Sequence, residues 1–172
     1  MFPTIIEVEN YLYQHIPLSK SMEVKVKQVD ENGVTLQAPL MPNINHRSTV
    51  FGGSISALAI LAGWTLVHVN LQALFLDSRI VIQRNSMEYL QRIDGDFMAV
   101  CRFPAVEVWE RFIKMLERKS KSRIELDVDV FGDEEKTGSF RGVGERELCF
   151  FNAEERGGMR GGARSFFYLC VG

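Results

Sequence analysis

Cysteine is scarce in this chain and badly placed for metal or redox chemistry. Cys101, Cys149 and Cys170 are an odd set, far apart, with no CxxC pair and no histidine at ligand spacing. A disulfide framework and a zinc site are therefore not expected. Charge of one sign is missing too: the formal net charge is −2 and the pI about 6.0, so no field is present to hold a nucleic-acid backbone. The opening residues, MFPTIIEVEN, lack the basic start and long apolar run of a secretory signal, and a cytoplasmic protein is expected. The longest apolar stretch, Ile55 to Leu76, is interrupted by Gly63, His68, Asn70 and Gln72, and no membrane span is read there. No dinucleotide fingerprint, Walker loop or nucleophile elbow is found. One absence is local: the chain has 22 acidic residues, yet none lies between Asn43 and Leu76.

What is present reads as one domain with a core of its own, at 172 residues and 46% apolar. TIIEVENYLYQHI places Ile5, Val8, Leu12 and Ile16 at the three-to-four spacing of a short amphipathic helix behind Pro3. In MEVKVKQVDENGVTLQA, Met22, Val24 and Val26 alternate with Glu23, Lys25 and Lys27, and alternation resumes after Asn32-Gly33, which predicts a β-hairpin. From Phe51 to about Leu71 the chain is apolar almost all round, the mark of a helix inside the protein, with Ile55, Leu58, Leu61 and Ala62 buried. SRIVIQRNSMEYLQRIDGDFMAVCRF reads as two strands joined at Asp94-Gly95. VEVWERFIKMLERK puts Trp109, Phe112, Ile113 and Leu116 on one helix face. RIELDVDVF alternates strictly, with Ile124, Leu126, Val128 and Val130 inward, and a last strand is expected from near Ser139. Helix, hairpin, buried helix and a run of antiparallel strands predict an α+β architecture, a curved antiparallel sheet wrapped around one apolar helix: the hotdog fold.

The segment PNINHRSTVFGGSISALAILAGW concentrates the candidate chemistry. Gly52-Gly53 at a helix start lets a ligand approach the backbone, and free amide hydrogens backed by the helix dipole attract developing negative charge. Asn43, Asn45, His46 and Thr49 converge on that start. The alternative reading has Thr49 or Ser48 capping the helix and the glycines making only a turn. Asn45 is a candidate neutral donor. His46 is a candidate base, although an imidazole beside a helix start tends to be less basic and can equally face solvent. With no carboxylate nearby, a reaction that needs fixed donors but no base fits as well as one that needs a base. The run ERKSKSR gathers Arg118, Lys119, Lys121 and Arg123. It reads either as a solvated loop or as a patch that binds phosphate or an acidic surface; the resemblance named below would make that anion the phosphates of coenzyme A or an acidic carrier protein. His15, His68, Trp64 and Trp109 read as structural.

IPLSKSMEVKV, LQAPLMPNINHRSTVFGGSISALAILAGW and MEYLQRIDGDFMAVC together resemble the hotdog thioesterase family typified by the YiiD C-terminal domain. The resemblance spans roughly residues 8–140, and its most specific block is N-x-N-H/K-x-x-T-x-F-G-G-S. It implies a substrate carried as an acyl thioester on coenzyme A or acyl carrier protein, with no further cofactor and no metal. Some members are thought to decarboxylate malonyl-carrier protein in fatty acid synthesis rather than hydrolyse a thioester. The resemblance further implies a homodimer or higher homo-oligomer with an acyl tunnel at the interface. Carried over by position, Asn45, His46, Gly52 and Gly53 are the candidate catalytic residues, and Asn43, Thr49, Phe51 and Ser54 the candidate substrate contacts. Arg118, Lys119, Lys121 and Arg123 are added to these from the charge run. A catalytically silent acyl-binding module is the alternative. The domain is expected to span 1–141. Residues 142–172, rich in Gly and Arg and carrying Phe150, Phe151, Phe166, Phe167 and Tyr168, read as an extension that is disordered or a product of a shifted reading frame.

Overall fold

A computed structural model describes residues 3–74, 76, 79–132 and 135–147. Helix α1 (Ile5–His15) starts at a capping box, in which Thr4 Oγ1 accepts from the Glu7 amide and Glu7 returns the bond to the Thr4 amide. Val8 and Leu12 are its buried stripe. After the short α2 (Pro17–Ser21) come β1 (Lys25–Asp30) and β2 (Gly33–Ala38). The hairpin turns at Glu31-Asn32, one residue before the expected place, because Gly33 already pairs, with Asp30 on one side and Arg102 on the other. Its φ of 146° and the 2.2 Å that would separate an added Cβ from the Cys101 carbonyl oxygen make glycine necessary there. Met22 and Val24 precede the strand but are buried as the alternation predicted.

Helix α3 (Gly52–Ala73) is the 22-residue rod of the domain. Leu58, Ala59, Ala62 and Leu66 are fully buried, and Ile55 and Leu61 nearly so. Among the described residues it is the one helix long and apolar enough to cross a membrane, and most of that apolar stretch is buried against the sheet. β3 (Arg79–Tyr89), β4 (Phe97–Arg102), α4 (Val106–Lys119), β5 (Lys121–Gly132) and β6 (Glu135–Glu147) complete an antiparallel sheet of six strands in the order β1-β2-β4-β5-β6-β3. All of β2 to β6 touch α3, so the fold is the hotdog arrangement: a sheet curved around one apolar helix.

Three local expectations change. β3 and β4, read as neighbours through Asp94-Gly95, are not paired; β3 crosses to the far edge and pairs with β6. Its partner comes later in the chain, and alternation marks a strand without naming its neighbour. ERKSKSR is not a loop: α4 ends at Lys119, Ser120 takes a left-handed φ of 53°, and Lys121 is already strand. β6 begins at Glu135, before Ser139, and runs through the 141/142 boundary to Glu147. The rest of the expected extension, 148–172 with Cys149 and Cys170, lies outside the described residues.

Candidate active site

The loop before α3 is built on two asparagines. Asn43 ends a 3-10 turn (Met41–Asn43) and is 3% exposed. Its Nδ2 donates to the Met22 and Pro39 carbonyls at 3.0 and 2.8 Å, and its own carbonyl accepts from the Phe51 amide at 2.8 Å. Asn43 Oδ1 is buried without a partner. Asn45 organises the next five residues. Its Oδ1 accepts from the Arg47 and Thr49 amides at 2.7 and 3.3 Å, and its Nδ2 donates to Thr49 Oγ1 at 2.8 Å and the Val50 carbonyl at 3.3 Å. This is an Asx-type turn closed on both sides. An Ile44–Val50 bridge and a bond from the Val50 amide to the Ile93 carbonyl pin its base. His46 sits exposed at the tip.

Where that loop ends, α3 begins without a cap. Phe51 is the N-cap residue and makes no side-chain capping bond. Thr49 Oγ1 instead receives the Asn45 amide, and neither Ser48 nor Thr49 reaches the helix start. The amides of Ser54 and Ile55 both turn back to the Phe51 carbonyl. The Gly52 and Gly53 amides have no acceptor among the described residues. These are two of the orphan donors every helix start presents, at the positive end of a 22-residue dipole. The two glycines keep the approach open in different ways. A Cβ on Gly52 would touch the Tyr89 ring at 3.4 Å, and one on Gly53 would collide with the Phe51 ring at 2.3 Å. Tyr89 Oη donates to the Gly52 carbonyl at 3.0 Å, fastening the end of β3 to the start of α3.

A cleft of about 350 Å³ runs beside this point, lined by Thr49, Gly52, Ile55, Tyr89, Gln91 and Arg92 among others. Phe51, Tyr89 and Leu90 are each more than half exposed around it. No carboxylate and no imidazole lines it. Cys101 is no substitute, since it is fully buried and burial pushes its thiol up to about 12. An apolar seam lies beneath β3, where Ile60 and Trp64 of α3 face Ile80 and Ile82 of β3, Leu126 of β5 and Phe140 of β6. It is nearly closed, at about 20 Å³.

Residues 5–143 match the family described as "Putative thioesterase (yiiD_Cterm)". The chain belongs to that thioesterase family. Solved structures agree. One similar structure is a protein of unknown function from Chlorobaculum tepidum TLS, 27% identical with a TM-score of 0.80, covering 84% of this chain and 94% of that one. Another is described as a putative thioesterase from Shewanella oneidensis, 26% identical with a TM-score of 0.74, covering 84% and 97%. A probable thioesterase from Pseudomonas aeruginosa shares the fold at 16% identity, with a TM-score of 0.73.

Within this family setting, the structure brings Asn43, Asn45, Thr49, Phe51, Gly52, Gly53 and Ser54 together, with His46 at the margin. It does not bring Arg118, Lys119, Lys121 and Arg123 to them. Gly132 packs on Ile93, whose carbonyl holds Val50, so the far end of β5 marks the α3 start. Lys121 lies at the other end of β5, eleven residues away, roughly 36 Å along the strand at about 3.3 Å per residue. Tyr89, Leu90, Gln91 and Arg92 are site residues that sequence reasoning missed. The block MEYLQRID held them in plain view, but only the crossing of β3 places them at α3.

The histidines and tryptophans set aside as structural are packed elsewhere. His15, Tyr11, His68 and Trp64 stack in that order, with centroids 4.2, 4.5 and 4.6 Å apart. Trp109 packs between Phe103 and Phe112.

Proposed function

We propose that this protein acts on acyl thioesters carried by coenzyme A or acyl carrier protein, polarising the thioester carbonyl on the Gly52 and Gly53 amides. The observation that carries the reading is the uncapped start of α3: two glycine N–H groups without an acceptor among the described residues, the first of them, at Gly52, on the wall of a cleft, in a chain of the thioesterase family. A carbonyl oxygen that gains charge in the transition state is stabilised most by donors already fixed in place. Asn45 acts at one remove. Both its amide hydrogens are occupied inside the turn, so it holds the loop that leads into α3 and is a positioning residue.

Hydrolysis follows if a water reaches the carbonyl carbon: the C–S bond breaks, the thiol leaves and the acid is released. A second reading is favoured by one observation, the lack of any carboxylate or imidazole lining the cleft. In a malonyl thioester the bond to the terminal carboxylate can break without a base. Its electron pair moves into an enolate whose oxygen rests on the same amides, CO2 departs, and a proton from water completes the acetyl thioester. Thiol release measured across acyl-coenzyme A and acyl-carrier-protein panels, beside CO2 release from the malonyl forms, separates the two. Thiol release assigns hydrolysis, and CO2 without thiol assigns decarboxylation. Saturable acyl binding with neither product assigns a silent acyl-binding module.

A homodimer is part of the proposal. One sheet edge, β1, is covered: Glu9 Oε2 accepts from the Val26 amide at 3.1 Å and Tyr13 Oη donates to the Val24 carbonyl at 2.7 Å, both from α1. The other edge, β3, is eleven residues long and pairs on one side with β6. A long open edge invites a strand from a second copy.

A further inference from the structure

A second cavity opens at the far end of α3, on the β1 side of the sheet and away from the β3 edge. It measures about 570 Å³, within the roughly 300–1,000 Å³ that holds a small organic ligand. One wall is α1 and the other the last turns of α3. Each helix presents a stripe at three-to-four spacing, Val8, Tyr11 and Leu12 against Thr65, His68 and Val69. Val8, Leu12, Thr65 and Val69 are buried and make the floor. From the other side α1 is fastened to the sheet edge, where Glu9 accepts from the Val26 amide at 3.1 Å and from Lys25 Nζ at 2.9 Å, and Tyr13 Oη donates to the Val24 carbonyl at 2.7 Å. Gln72 lies twenty residues beyond Gly52 on α3, roughly 30 Å along the axis at about 1.5 Å per residue. The cavity is therefore separate from the cleft at the helix start.

Its electrostatics have one sign. Glu7 stands on the rim, and among the described residues no lysine or arginine lines the cavity. The Thr4 amide and hydroxyl donate to Glu7 Oε2 at 2.7 and 2.8 Å, and these bonds hold the carboxyl below its ordinary range. Oε1 accepts no bond among the described residues. Across from Glu7 are Gln72 and Ala73, in the last turn of α3. That turn carries no basic residue, so no side chain offsets the negative end of a 22-residue dipole. Tyr11 and His68 supply an aromatic wall, their centroids 4.5 Å apart, in a stack that Trp64 continues. A carboxylate, a helix carbonyl end, flat rings and an apolar floor are together the complement of one ligand chemistry.

We infer that this cavity binds an organic ammonium ion with a flat apolar body, its charge set between Glu7 and the carbonyl end of α3 and its body on the floor beside Tyr11 and His68. The inference stands apart from the acyl-thioester reading.

Phenethylammonium, with phenethyl alcohol and hydrocinnamate as its neutral and anionic counterparts, tests this on the full chain at about pH 8, above the ordinary histidine range. The readout is the indole N–H resonance of Trp64, which stacks on His68 at the cavity wall. Trp109 is the only other tryptophan. It packs between Phe103 and Phe112 and serves as the internal control, with Trp109→Phe making the assignment. The ammonium should shift Trp64 saturably and leave Trp109 in place, with a dissociation constant of about 1 mM, as befits a fragment this small. The alcohol should bind more weakly, and the carboxylate not at all over the same range. Glu7→Gln keeps the capping box, in which glutamine also serves, and should weaken the ammonium roughly two- to fivefold, the worth of an exposed ion pair. Ala73→Phe, at the half-buried rim, should close the cavity and abolish the shift; if that variant does not fold, Glu7→Gln decides. No saturable shift of Trp64 overturns the inference. So does an alcohol or carboxylate that binds as tightly as the ammonium, an ammonium affinity unmoved by Glu7→Gln, or a shift that persists in folded Ala73→Phe.

Discussion

At one end of the sheet the chain offers negative charge two glycine amides at the head of α3, uncapped, beside a cleft lined by no carboxylate or imidazole and by a single cation, Arg92. At the other end it offers full charges, Lys119, Lys121 and Arg123 with Arg111, around a cleft with an apolar floor. Neutral, rigid backbone donors suit a charge that exists only in a transition state, because they need no reorganisation when it appears. Flexible cations suit a charge that is permanent, such as a phosphate. The two ends, separated by the length of β5, thus suit two kinds of charge, one transient and one permanent.

The comparison breaks most severely if the rod between the two ends is loosened. Leu58, fully buried at the middle of the packed face of α3, should cost about 2–5 kcal/mol as Leu58→Ala. Chemical denaturation reads this, and a loss below 1 kcal/mol would mean that α3 is not the core.

Next comes the turn that leads to the amide end. Asn45→Ala removes two donated and two accepted bonds and should lower stability by roughly 1–3 kcal/mol. Turnover should fall with it, whereas binding at the cationic end should be untouched. Unchanged stability with abolished turnover would make Asn45 a direct contact with substrate.

A smaller effect is expected from Tyr89→Phe, which deletes the bond to the Gly52 carbonyl. A loss of about 0.5–1.5 kcal/mol, with kcat lowered and KM kept, would separate the amide end from carrier binding.

The smallest effect concerns the outer sheet face. Burial would raise the Asp129 carboxyl, but Lys136 and Arg102, at 2.5 and 2.6 Å, outweigh it and hold the group below its ordinary value. A depressed folded pKa stabilises above the unfolded value, and that stabilisation is lost as pH falls through the folded one. Asp129→Asn should therefore lower stability slightly at neutral pH and flatten the acid limb, the difference from the parent closing as pH falls below about 4.

Much of this was legible in the residues. α3 declares itself by being apolar on all sides, and β5 by strict alternation, since burial on one face or on all leaves a period that neighbours cannot hide. The Gly-Gly helix start was legible too. The place of Asn45 was not, because an asparagine side chain looks the same whether it closes a turn or faces a ligand; its four local bonds put it inside the turn. Tyr89 and Arg92 were hidden by topology, as nothing in EYLQRID states that β3 crosses to the edge and returns its end to α3. ERKSKSR misled through composition: four cations in seven residues read as a loop, while a single left-handed Ser120 lets helix pass straight into strand.

The central claim is that the first amides of α3 stabilise the charge on the thioester oxygen. Proline is tolerated in the first turn of a helix and removes the N–H alone; the extended Phe51 already suits a proline at position 52. Turnover of the preferred thioester is therefore to be compared for Gly52→Pro and Gly53→Pro, each against its alanine counterpart, which shares the added bulk but keeps the hydrogen. At least one proline should fall below its alanine by about 10²–10³ in kcat, the cost of one oxyanion donor, with the circular dichroism unchanged. Both prolines turning over within a few-fold of their alanines would contradict the account.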